Sequence, residues 1–303
     1  MSTPTRVVSL LPSATEIVYA LGAQERLVGV TFECDHPVGA RTDHQVVVGG
    51  TDTAGMTPSQ IDAQVRARAA AGEDLYTLHE GALRGLDPDL VLTQDLCRVC
   101  ALPSDVVDEA LAHLGCDADV LALDPGSLED VLGTLVTVGD ALGVPERART
   151  VVDFLRGRLD AVATAVAGCA RPRVAVLEWV DPPFCAGHWV PDLVAAAGGT
   201  EVLGRPGDRS VTTTWADVVA ARPDVVVVAP CGYHLDAAAE QAVSVVAALD
   251  AAGAPAVPVW AIDADGLVVR PGPRLVDGVE ALATLLHPDA LGPADPAAVR
   301  RVR

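Results

Sequence analysis

Asp89-Leu90-Val91-Leu92-Thr93-Gln94-Asp95-Leu96-Cys97-Arg98-Val99-Cys100 is the stretch whose reading decides the fold. A short apolar run follows Pro88-Asp89 and ends in a polar loop that carries Cys-x-x-Cys. An apolar run of that length, bounded by turn residues, has the form of a strand buried on both faces. Pro223-Asp224-Val225-Val226-Val227-Val228-Ala229-Pro230-Cys231 repeats the arrangement, again with a cysteine a few residues past the run. The echo implies two related halves. Cysteines just past strand ends stand where open α/β sheets bind ligands, outside the carboxyl ends of the strands.

The flanking chain alternates in the same way. Arg6-Val7-Val8-Ser9-Leu10-Leu11 reads as a strand, and Ser13-Ala14-Thr15-Glu16 after it has the form of a capping box, with a helix that stops at Gly22. Strands are expected at Leu27–Thr31 and Val46–Gly50, a helix from Thr57 through Val65, and another from His79 to Leu86. Beyond Cys100 the reading is helix 103–114, strand 120–123 and helix 127–142. From Pro145, Ala148, Val151, Val152, Leu155, Leu159, Val162 and Val166 share one helical face. That is one long helix, a connector between two sheet units. Strand Arg173–Leu177 then restarts the pattern, with a loop over Glu178–Trp189, a helix over 191–197 and further strands at 225–228 and 257–261. A helix over 274–286 closes it, and the tail from His287, rich in Pro and Ala, reads as loosely held. The fold expected is α/β: two doubly wound parallel-sheet lobes, residues 1–142 and 170–303, joined by one backbone helix over 143–169.

Composition excludes several functions. With 41 acidic and 21 basic residues the net charge is −20, which argues against nucleic-acid and anionic-lipid partners. All 21 basic residues are arginine, so no mechanism that needs a Schiff-base lysine or a phosphate-loop lysine is open. No run approaches the ~18 apolar residues of a membrane helix. The first apolar run is too short for a signal peptide, and neither a small-residue cleavage site nor a lipid-attachment cysteine follows. The expectation is a cytoplasmic protein, monomeric or dimeric, whose cysteines are thiols or ligands rather than structural disulfides.

Five of the seven cysteines, Cys34, Cys97, Cys100, Cys185 and Cys231, fall past carboxyl ends of expected strands, whereas Cys116 and Cys169 fall at helix ends. Cys34, Cys97, Cys100 and Cys231 can form a four-thiolate site for an iron–sulfur cluster or another soft metal. Redox pairing of Cys97 with Cys100 and plain packing are the alternatives. Glu178-Trp179-Val180-Asp181-Pro182-Pro183-Phe184-Cys185-Ala186-Gly187-His188-Trp189 holds three of the chain's ten aromatic residues, and its rings offer stacking surfaces. Arg270 or Arg274, after the strand at 257–261, can hold a carboxylate or phosphate bidentately. Glu33, Asp95, His188 and Arg270 are the candidates for proton transfer or electrostatic catalysis. Gln94, Asp95, Trp179, Phe184, Trp189 and Arg270 are the candidates for ligand contact. No nucleophile elbow, phosphate loop, Rossmann glycine fingerprint or His-Glu-x-x-His motif is present.

At Val8-Ser9-Leu10-Leu11-Pro12-Ser13-Ala14-Thr15-Glu16, Pro88-Asp89-Leu90-Val91, Asp181-Pro182-Pro183-Phe184 and Arg270-Pro271-Gly272-Pro273-Arg274 the chain resembles the helical-backbone (class III) ABC-transporter substrate-binding proteins. Their ligands are cobalamin, haem and iron chelates. It is most similar to the cobalamin-binding branch, and its cysteines resemble a leaderless subgroup of it. The resemblance implies two lobes on a long helix with the ligand in the cleft between them. Positions 32–34, 94–97, 184–189 and 263–270 would face that cleft. Where exported receptors present aromatic residues, this chain has Gln94, Asp95 and Cys97. The functions implied are a cytoplasmic binding protein for a corrinoid, metal chelate or cysteine-held cluster, or an enzyme using such a centre on the same fold. A third is an exported cobalamin receptor, the one case in which a permease is the partner.

Overall fold

The structure is a computed structural model. It describes residues 3–50, 53, 55–71, 73, 76–78, 83, 85–95, 106–107, 111 and 117–303. The chain divides into two compact units, Met1–Pro125 with Leu132–Val152, and Gly126–Val131 with Asp153–Arg303.

The first unit carries β1 (Val7–Ser9), α1 (Pro12–Ala20), β2 (Leu27–Thr31), α2 (Ala40–Asp43), β3 (Gln45–Gly50), α3 (Pro58–Ala71), β4 (Tyr76–Leu78), β5 (Leu90–Thr93) and β6 (Asp119–Ala122). Its sheet runs β4-β3-β2-β1-β5-β6, parallel except for the β3–β4 pair. The chain winds outward on both sides of β1, so the reversal of direction falls between β1 and β5. Both strands are wholly buried, as their apolar runs require. Val8, Leu10, Val47, Val91 and Leu111 belong to the core they build. Strand β4 was not expected from the sequence. Most of the helices expected over 79–86 and 103–114 lies outside the described residues, and the described end of the first, Gly85 and Leu86, is a turn, with Gly85 at φ +80°.

The expected capping box is absent. Leu11, extended at φ −150°, ψ 145°, is the N-cap residue of α1 and makes no side-chain cap. Pro12 occupies the first turn, where a missing N–H costs nothing. Ser13, Thr15 and Glu16 lie inside the protein instead, at 2, 0 and 3 % exposure. The Thr15 hydroxyl donates to Ser9 Oγ at 2.9 Å, so these polar residues serve the interior rather than the helix end.

Helix α4 (Leu128–Ala141) leads to α5 (Pro145–Ala165), the expected long helix, with 21 residues spanning roughly 32 Å. The boundary between the two units falls within α5, at Val152/Asp153. Ala148, Val152, Leu155 and Val162 are buried, in keeping with the apolar stripe.

The second unit adds β7 (Arg173–Val180), β8 (Pro183–Cys185), α6 (Val190–Ala196), β9 (Thr200–Glu201), α7 (Trp215–Ala220), β10 (Val225–Val228), α8 (Leu235–Ala251), β11 (Val259–Ile262), α9 (Ala264–Leu267), α10 (Leu275–Leu286), α11 (Pro288–Leu291) and β12 (Val299–Arg301). The sheet order is β12-β11-β10-β7-β8, with β9 parallel to β7. β7, β10 and β11 are parallel, and the edge strands β8 and β12 are antiparallel.

Two expectations are corrected here. Residues 178–189, read as one loop, begin as a β-hairpin that pairs Trp179 with Phe184 and Val180 with Pro183. Proline fits because Pro183 is the first residue of β8, a position at which a strand tolerates it. The tail is not loosely held. Val299 is 3 % exposed and pairs with Ile262, and the Val302 N–H donates to the Val259 carbonyl at 2.8 Å. Its arginines are paired as well: Arg300 meets Asp236 at 2.7 Å, and Arg303 pairs with Asp250.

Candidate functional site

Each unit presents loops at the carboxyl edge of its sheet. In the first unit the chain leaves β2 through Phe32, whose N–H donates to the Val48 carbonyl at 3.1 Å. The Glu33 N–H donates to Thr31 Oγ1 at 3.0 Å. Cys34 is fully buried, its thiol 3.1 Å from Thr15 Oγ1 and 3.5 Å from Thr31 Oγ1. It packs with Val30 and Ala40. Past β5, Gln94 is 5 % exposed, while Asp95 is exposed and its N–H donates to Asp124 Oδ1 at 2.6 Å. Cys97 and Cys100 lie outside the described residues, as does Cys116. Cys34, Cys169, Cys185 and Cys231 are free thiols, and no described contact brings the expected four-thiolate set together.

The second unit gathers more of the candidates. β10 lies beside β7 with Val228 opposite Leu177. Two further bonds continue the pairing, from Ala229 N–H to Leu177 O at 2.9 Å and from Cys231 N–H to Glu178 O at 3.1 Å. This register carries Tyr233 to Trp179, and the rings meet edge to face with centroids 5.8 Å apart. Both residues are half-buried, so part of each ring surface faces solvent. Trp179 Nε1 donates to the Asp181 carbonyl at 3.2 Å. Burial raises the Tyr233 phenol above its ordinary pKa and keeps it protonated. Phe184, the register partner of Trp179, is also half-buried. Cys231 is exposed in the same turn as Tyr233.

Behind this edge a polar chain crosses from one turn to the next. His234 Nδ1 is 2.9 Å from Asp263 Oδ1, and its Nε2 is 3.8 Å from Asp265 Oδ2. Asp265 in turn pairs with Arg270, which is 9 % exposed. The Arg270 guanidinium is therefore engaged by a neighbouring carboxylate. Trp189 is 6 % exposed and donates Nε1–H to the Val268 carbonyl at 2.8 Å, inside the unit and behind the edge. His188 sits at φ +50°, ring against ring with Trp189. Its Nε2 is enclosed without a hydrogen-bond partner among the described residues. Burial, then the charge of Arg209, lowers its pKa, so the imidazole is neutral near pH 7. Burial, with help from Glu178 and Glu201, raises the Cys185 thiol, which lies against the Val211 carbonyl at 3.4 Å.

Of the expected residues, Trp179, Phe184, Cys231 and Arg270 lie at or just behind one edge, while Trp189 and Cys185 are interior. Glu33, Gln94 and Asp95 lie at the edge of the first unit. Tyr233 and His234 escaped the sequence reading. Their signal was a Tyr-His pair in the turn after an all-valine strand, in a chain with three tyrosines and seven histidines. The arrangement offers aromatic surface for stacking and an acid–base pair behind it.

The Halobacterium salinarum protein named "Cobalamin-binding protein" is 26 % identical over 298 residues, covering 94 % of this chain and 70 % of that one. A Bacillus subtilis protein named "Uncharacterized ABC transporter substrate-binding lipoprotein YvrC" is 24 % identical over 301 residues, covering 94 % and 81 %. Among solved structures, a periplasmic heme-binding protein from Pseudomonas aeruginosa superposes with TM-score 0.69 at 23 % identity, covering 98 % of each chain. The vitamin B12 binding protein BtuF of Vibrio cholerae superposes with TM-score 0.64 at 21 % identity, covering 94 % and 97 %. The sequence profile of the periplasmic binding protein family matches residues 7–257, most of the chain. The chain belongs to the periplasmic binding protein family.

Proposed function

We propose that this protein binds a macrocyclic metal complex, a corrinoid such as cobalamin in the first instance, at the carboxyl-edge loops of its second sheet. The observation that carries the reading is the Trp179–Tyr233 pair, two of only ten aromatic residues, set edge to face with part of each ring open to solvent. A ring pair of that kind gives a flat or hydrophobic ligand surface something to stack on at low entropic cost. The names of the H. salinarum relative and the V. cholerae structure support a corrinoid, and the P. aeruginosa structure supports haem as the alternative ligand of the same shape class. Cytoplasmic placement is part of the same proposal, since an exposed thiol such as Cys231 suits a reducing compartment.

A cluster held by Cys34, Cys97, Cys100 and Cys231 ranks second. It would have to draw on the Cys34 thiol, which is buried and already in contact with two threonine hydroxyls. Iron and acid-labile sulfide in protein purified without oxygen would promote it.

The test is a titration with hydroxocobalamin and, separately, haemin, followed by absorbance and tryptophan quenching. Micromolar or tighter binding of one of them is expected, with Trp179→Ala and Tyr233→Ala each weakening it by about tenfold, or ~1.4 kcal/mol. Binding of neither, or full affinity in both folded variants, refutes the reading.

A further inference from the structure

Tyr233 is held in place by the turn that follows β11. The Asp265 N–H donates to the Tyr233 carbonyl at 3.2 Å. The next residue, His234, reaches the same turn with its side chain, Nδ1 toward Asp263 at 2.9 Å and Nε2 toward Asp265 at 3.8 Å. Both acceptors are fixed from behind. Asp263 caps α9, its Oδ1 accepting the Gly266 N–H at 3.2 Å, and its own N–H donates to the Ala298 carbonyl at 2.9 Å. Asp265 is ion-paired with Arg270. The carboxylates are 19 % and 13 % exposed and the imidazole 56 %, so the group that solvent protons reach is the imidazole.

We propose that His234 is a proton-dependent positioning residue: when charged, it ties the 230–234 turn to the 263–270 turn and sets Tyr233 against Trp179 to receive the ligand. The proposal rests on the binding reading above. The chemistry follows from the donor count. A neutral imidazole has one N–H. If Nδ1 donates to Asp263, Nε2 turns a lone pair toward Asp265, acceptor to acceptor. The imidazolium has two N–H groups and places its charge between two carboxylates. The contact to Asp265 therefore becomes attractive on protonation. Sign follows directly: the full latch is present while the imidazole is charged and is lost as rising pH removes that charge. Within this unit, the other ionisable groups described near the pair do not reverse that sign. The turn itself brings the Cys231 thiol and the Tyr233 phenol, Arg270 pairs with Asp265, Arg274 stands beside the Asp263 carboxylate at Gly266, and Asp236 in the first turn of α8 pairs with Arg300 at 2.7 Å.

The test uses the full chain with hydroxocobalamin as probe, at pH 5.5, 6.5, 7.5 and 8.0, in wild type and His234→Gln. Equal urea midpoints at pH 8.0 show that the variant folds. Wild-type Kd is expected to rise about three- to tenfold from pH 5.5 to 8.0, the range for two half-exposed ion pairs, and that of His234→Gln to stay within about twofold. An equal slope in His234→Gln overturns the latch and leaves the binding reading standing. If the probe binds at no pH, the binding reading falls, and the latch is decided on the free protein. The His234 ring resonance, assigned by its loss in His234→Gln, then shifts its titration midpoint in Asp263→Asn if the latch exists. An unmoved midpoint overturns it.

Discussion

Glu201 offers a sharp test of how the second unit is held. It ends β9, and its carboxylate accepts N–H groups from Val176 at 3.2 Å, Leu203 at 2.8 Å and Gly204 at 3.1 Å. One side chain thus ties β7 to the turn that follows β9. Burial pushes its pKa from 4.5 up to about 7, against the opposing pull of those backbone donors. The folded state therefore holds the Glu201 proton over a pH range in which the unfolded chain has lost it. This contribution to stability is fully present below about pH 4.5 and is lost as pH rises through about 7. A shift of that size corresponds to roughly 3 kcal/mol, and the part of the residue that still meets solvent trims the figure toward ~1–2 kcal/mol. Glu201→Gln keeps an acceptor for the same N–H groups and removes the titration. Urea unfolding of both proteins at pH 4.5, 5.5, 6.5 and 7.5 should show wild type losing ~1–2 kcal/mol relative to the variant across the series. Taking the difference cancels every other group that titrates in that window. Parallel curves, or a wild type that gains on the variant as pH rises, would refute the reasoning.

Gly187→Ala should destabilise the second unit by about 1–3 kcal/mol, read as a lower urea midpoint, because the new methyl would stand 2.2 Å from Ser210 N and 2.7 Å from the Arg209 carbonyl carbon, both backbone. An unchanged midpoint would mean that the 208–210 segment moves aside freely. Alkylation of the native protein followed by peptide mass spectrometry should label Cys231 and spare Cys34 and Cys185 until unfolding, since Cys231 is exposed and the other two are buried. Early labelling of Cys34 would contradict its place beside Thr15.

The strands were legible because their chemistry is local. Runs such as Val225–Val228 and Leu90–Thr93 announce burial on both faces without reference to anything distant. The long helix was legible for the same reason, as a stripe at helical spacing. What escaped depends on partners far away in sequence. Pro182-Pro183 looks like a loop until Val180 pairs with Pro183, which opens a strand, a position where proline is tolerated. The tail looks loose from its Pro and Ala content until β12 pairs with β11, and Asp236 and Asp250 of α8 meet Arg300 and Arg303. Ser13 and Glu16 match a capping box in spacing, but the helix starts at Pro12, two residues earlier, and both lie inward.

The candidate site shows the same division at finer grain. That functional residues would stand past strand ends follows from the parallel-sheet pattern alone. Which of them meet follows from strand order, which the pattern does not contain. β10 is flanked by β7 on one side and β11 on the other, so the turn after β10 touches the turns after both. Tyr233 meets Trp179 on the β7 side, and His234, one residue on, meets Asp263 and Asp265 on the β11 side. Two adjacent residues thus join an aromatic surface to a proton-sensitive contact, although their partners stand some 54 positions before and 29 to 31 after them in the chain. Any perturbation that shifts the 230–234 turn should therefore be felt both in Trp179 stacking and in the His234 contact. A variant that alters one and leaves the other untouched would show that the turn does not move as a unit.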